Sequence, residues 1–157
     1  MFKTKGFGLV EALIGVSIFS IALLAMIISF SNLSSMQNRL TERMQAQFLL
    51  EEGVEAVKNI RDNDWMTISD ADSLTEYTVS FDDATNSFVL ISGAETIDLF
   101  ERSVVFEDVS RNSSGEVDES GSNDEGTKKV TVTVTWLVGG VNQQKELVTY
   151  ITDLFTE

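Results

Sequence analysis

The chain has 157 residues with no cysteine, histidine or proline, and carries a formal charge of -14 with a pI near 4.2. That composition excludes disulfides, thiolate zinc sites, cysteine nucleophiles and ordinary Ser-His-Asp catalysis, and direct nucleic-acid binding is not expected of so acidic a chain. The length allows one long helix and one small domain.

In chain order, the first feature is a basic head, Lys3 and Lys5, followed by Gly6. An apolar run from Phe7 to Phe30 follows, interrupted by a single charge, Glu11. As a helix, 7–30 would span roughly 36 Å, enough to cross a bilayer core with some tilt. The positive-inside rule keeps Lys3 and Lys5 on the cytoplasmic side and sends the rest outward. From Ser31 the chain turns polar but stays periodic: Leu33, Met36, Leu40, Met44, Phe48, Val54, Val57 and Ile60 form one helical stripe. The spacing predicts one helix from Leu9 to Arg61, with 31–64 as its amphipathic half. Gly53 is a soft point in it, costing about 1 kcal/mol relative to alanine. Asp62, Asn63 and Asp64 stop the helix, and Trp65 and Met66 are expected to fold back onto the stripe.

Beyond Asp72 the period changes to two. Strands are predicted at 77–81, 87–91, around 102–106, 129–136 and 146–153, with Gly139-Gly140 as a hairpin turn. In 129–136, Val130, Val132, Val134 and Trp136 share one face. The fold class is therefore α+β. A long N-terminal helix packs its amphipathic stripe on a four- or five-stranded antiparallel sheet within 65–157. The segment 110–127, rich in Ser, Gly, Asn and acids, reads as a mobile loop.

Glu11 is the chief candidate for chemistry. A carboxylate in an apolar span costs about 2.5–3.5 kcal/mol at the centre of a helix and less near its end. It could stay protonated or snorkel to the interface. Alternatively, it lies one turn from Phe7 on the same face. A cut after Gly6 would give Phe7 a free amine, and amine and carboxylate would offset each other's desolvation, within one chain or between two. Asp118, Glu119, Asn123, Asp124 and Glu125 are weak candidates for Ca²⁺ oxygen ligands, in a spacing unlike an EF-hand; a solvated loop explains them better. Asp62, Asn63 and Asp64 are weaker still. No other cofactor is implied, and no catalytic constellation or phosphate-cradling loop is present, so the chain does not read as an enzyme.

The run Lys5-Gly6-Phe7-Gly-Leu-Val-Glu11 at the head of a spanning segment resembles the class III signal of type IV pilins and pseudopilins. The resemblance covers about residues 1–30. It implies a leader peptide, 1–6, cut between Gly6 and Phe7 by prepilin peptidase, with N-methylation of Phe7. It also implies that Glu11 neutralises the Phe7 amine of a neighbouring subunit as a filament grows. The implied partners are other pilin subunits, the peptidase, an assembly platform in the cytoplasmic membrane, and the lipid bilayer before assembly. The implied location is first that membrane, N-terminus inside and C-terminal domain outside, then an extracellular filament or pseudopilus. Residues 51–65 and the final VTVTVTW-turn-strand are similar to minor pilins of the pilus-modification or pseudopilin I/J type. The missing proline and disulfide loop depart from many major pilins and favour a minor subunit. The alternatives are a major pilin, a single-pass anchored domain that never polymerises, and a secreted domain cut near Ser31.

Overall fold

In a computed structural model the described residues are 8–154. They form two units, one ending at Glu42 and one starting at Arg43. Helix α1 covers Leu9–Asn63, two residues beyond the expected end, and no proline interrupts it. A short helix α2 (Trp65–Ser69) follows. Asp64 caps it, its carboxylate accepting from the Met66 amide at 3.1 Å and from the Thr67 hydroxyl at 3.1 Å. Trp65 packs half-buried against the core, but Met66 stays exposed; the residue that α2 buries fully is Ile68.

Six strands make one antiparallel sheet: β1 (Glu76–Asp82), β2 (Ser87–Ser92), β3 (Glu95–Ile97), β4 (Phe100–Arg111), β5 (Ser122–Val138) and β6 (Val141–Thr152). The order is β2-β1-β4-β5-β6, with β3 paired to β4. The fold is α+β, as expected, with one strand more than the sequence suggested: three-residue β3 is too short to show a period. Long β4 and β5 pair from Phe100↔Trp136 to Arg111↔Ser122, with a register shift between Asp108 and Val109. Alternation places Val130, Val132, Val134 and Trp136 on the inner face, all buried. On β6, Ile151 is buried and Leu147 half-buried, while Val148 and Tyr150 point outward.

The inner face is covered by the C-terminal part of α1. Ala46, Leu50, Gly53, Val54, Ala56, Val57 and Ile60 are its buried residues. The expected stripe is therefore only partly the packing face. Val54, Val57 and Ile60 lie in the core, but Leu33, Met36, Leu40, Met44 and Phe48 are exposed. At 100° per residue these five turn away from the side that carries Leu50, Gly53 and Val57, so one apparent stripe is two.

Gly53 is a point of contact rather than of weakness. A Cβ there would come within 2.9 Å of the Val132 side chain, so only glycine lets helix and sheet approach this closely. Beside it, Arg102 projects from β4 into the helix–sheet layer with a nearly buried side chain. Its guanidinium donates to Glu95 at 2.7 Å and to the Leu49 carbonyl at 3.3 Å, and lies 3.4 Å from Glu52. These contacts offset much of the cost of a charge out of water and tie α1 to β3 and β4.

The acidic stretch 110–127 is not one loop. Strand β4 runs into it as far as Arg111 and β5 begins at Ser122. Arg111 organises the connection: it donates to Asp124 at 2.6 Å, to the Gly115 carbonyl at 2.9 Å and to the Thr127 hydroxyl at 3.4 Å. Gly121 lies so close to the Arg111 backbone that any Cβ would collide with it. Composition could not reveal this order, because one arginine and one glycine supply it.

Candidate functional site

The N-terminal stretch of α1 is apolar and unburied. None of its most apolar 18-residue window is buried in the chain. By length and composition the helix can cross a membrane. Two hydroxyls in this run are satisfied internally: Ser17 donates to the Leu13 carbonyl and Ser20 to the Val16 carbonyl, each at 2.8 Å. Such back-bonding hides polar groups from an apolar surrounding.

Glu11 sits in the first turn of α1, where the helix dipole favours a negative charge. It is exposed, and its carboxylate accepts from the Gly8 amide at 3.0 Å, turning back toward the start of the helix. Lys3, Lys5, Gly6 and Phe7 lie outside the described residues.

The calcium candidates are dispersed. Asp124 is taken by Arg111, and Asp118 accepts from the Ser120 amide at 2.9 Å and the Ser120 hydroxyl at 2.7 Å. Both carboxyls lie below the usual carboxylate range, Asp124 chiefly through the Arg111 hydrogen bond and Asp118 through the Ser120 backbone bond. Asp108 is lowered likewise by Lys128. Among the described residues no three acidic side chains gather as a metal would require.

Sequence reasoning passed over the two arginines that hold the domain together. Arg102 had a visible signal: it shares the inward face of β4 with Phe100, Val104 and Phe106, so alternation alone buries it. Among the described residues, three clefts open where α1 first meets the sheet, near Phe100 and Trp136. An apolar one of about 320 Å³ is lined by Phe48, Leu49 and Leu99. A second, of about 290 Å³, is lined by Arg43, Trp136, Gln143, Gln144 and Lys145. The third lies along Thr96 and Asp98.

Residues 1–27 match the family model of the prokaryotic N-terminal methylation motif. Comparison with curated proteins and with solved structures gave no match. The matched stretch includes Gly6, Phe7 and Glu11, and with the long apolar helix it supports a type IV pilin-like protein processed by prepilin peptidase and anchored in a membrane.

Proposed function

We propose that this chain is a structural subunit of a type IV pilus-like filament, a minor pilin or pseudopilin, cut after Gly6 and N-methylated on Phe7. The single observation that carries the reading is the coincidence of the methylation motif at 1–27 with a helix whose most apolar window is entirely unburied. In the membrane, lipid covers that surface. In the filament, other copies of the same kind of helix cover it, so the transfer changes little apolar exposure.

In this reading Glu11 is the assembly residue. After cleavage its carboxylate pairs with the Phe7 amine of a neighbouring subunit, and the pair fixes register. The hydrogen bond from the Gly8 amide pre-orients the carboxylate toward the helix start. The protein then has no catalytic role. It waits in the cytoplasmic membrane with its acidic domain outside, and its partners are other pilins, the peptidase and the assembly platform. The missing proline and cysteine favour the minor subunit over the major one. Ca²⁺ at Asp118, Glu119, Asn123, Asp124 and Glu125 is a lesser proposal, weakened by the prior engagement of Asp118 and Asp124.

The test is Glu11→Ala in cells that make the filament. We expect a processed protein in the membrane and at least a tenfold loss from sheared surface material. Normal incorporation would remove the role given to Glu11.

A further inference from the structure

The charge pairs of the outer domain leave a remainder. Lys58, Arg61, Arg102, Arg111, Lys128 and Lys129 each hold a carboxylate within 3.4 Å. Arg43 and Lys145 hold none among the described residues, although the chain carries 25 acids to 11 bases. These two cations line one cleft together with Trp136, Gln143 and Gln144. Trp136 is 6 % exposed, and its buried indole N–H has no acceptor among the described residues. A buried donor without an acceptor and two unpaired cations in one cleft suit an outside group that brings carboxylates.

The same domain carries such a group at its other end. Between β4 and β5, Glu116, Val117 and Glu119 are exposed, and neither glutamate has an ion pair among the described residues. The turn is preorganised. The Asn112 side chain accepts from the Ser114 and Glu116 amides at 2.9 and 3.0 Å, Asp118 caps Ser120, and Arg111 holds Gly115. A fixed tip loses little conformational freedom on docking. The tip follows the Arg111↔Ser122 pair, whereas the cleft lies at the Trp136↔Gln143 pair, so the two are roughly 40 Å apart along β5.

We propose that the Arg43–Lys145–Trp136 cleft receives the Glu116–Glu119 tip of a second copy of this chain. The carboxylates meet the two cations, and one of them also accepts from the Trp136 indole N–H. Donor and acceptor surfaces are at opposite ends of one domain, so the contact is head to tail and does not close on itself. Such a contact leaves one free tip and one free cleft at its two ends, so it does not close into a symmetric dimer. The pairing also relieves the like-charge repulsion expected between such acidic copies, and it weakens with salt. The inference rests on the chain being an assembling subunit, and it adds a contact in the outer domain that does not involve the N-terminal helices.

The native chain contains no cysteine, so cross-links can be placed cleanly. Two full-length variants, Ser114→Cys and Gln144→Cys, are made together in membranes and treated with a short bismaleimide. We expect a mixed dimer, lost to background when the Gln144→Cys copy also carries Arg43→Glu and Lys145→Glu. It should return when the Ser114→Cys copy then carries Glu116→Lys and Glu119→Lys. Rescue requires the reversed variant to be folded, so it separates charge loss from misfolding. No mixed dimer, a dimer indifferent to charge reversal, or no rescue would overturn the proposal. The same gel reports monomer size. Processed monomer without a cross-link refutes the contact alone, and a cross-link at unprocessed size refutes the cleavage reading alone.

Discussion

The two ends of α1 are equally helical and differ in what they bury. From Leu9 to Phe30 every residue is exposed, although nearly all are apolar. From Ala46 to Ile60 one side is sealed against the sheet, with Leu50 and Val57 fully buried. The C-terminal end stabilises this chain's own domain. The N-terminal end contributes nothing to it and is apolar for surroundings the chain does not itself provide. Phe48, exposed beside the buried Leu50, shows the two uses two positions apart on one helix.

That contrast can be broken by truncating one aromatic on each surface. Phe106→Ala empties a fully buried site on β4 and should cost about 3–5 kcal/mol in urea unfolding of the full chain in detergent, followed by tryptophan fluorescence. Phe48→Ala, at 62 % exposure, should change the same midpoint by no more than about 0.5 kcal/mol. A large loss at Phe48 would mean that this face belongs to the domain after all.

A second variant sharpens the account of how helix and sheet are tied. Glu95→Ala removes the 2.7 Å partner of buried Arg102 and leaves its guanidinium to Glu52 and the Leu49 carbonyl. The expected destabilisation is about 1.5–3 kcal/mol by the same assay. An unchanged midpoint would show that Arg102 is adequately held from α1 alone.

The smallest effect concerns acid. Asp108 and Asp124 have lowered carboxyl values because Lys128 and Arg111 hydrogen-bond them. A depressed folded value stabilises fully above the unfolded value, about 3.9, and the contribution is lost as pH falls through the folded value. Wild-type stability should thus decline below about pH 4. The Asp108→Asn, Asp124→Asn double variant should start lower at pH 7 and fall less steeply below pH 4. Parallel curves would place the acid sensitivity elsewhere.

Much of this architecture is legible in residue order. The switch from a helical period to alternation locates α1 and the long strands, and Asp62-Asn63-Asp64 marks the helix end within two residues. Periodicity cannot say which apolar face is for the chain itself, so Leu33, Met36, Leu40, Met44 and Phe48 merged with Val54, Val57 and Ile60. The true inner face uses Ala46 and Gly53, which are small and weakly apolar and so carry little pattern. The order around Arg111 depends on residues brought together by β4 and β5 pairing, which local composition does not encode. The methylation motif is the opposite case: Gly6, Phe7 and Glu11 belong to a linear pattern, fully readable before any folding.

The central claim is that the chain is a cleaved, methylated filament subunit. The intact mass of the protein from membranes and from sheared surface material tests it most directly. The account predicts loss of Met1 to Gly6, gain of one methyl group, and the processed mass in the sheared fraction. A full-length mass confined to membranes would contradict it and leave an anchored domain in which Glu11 serves its own helix start.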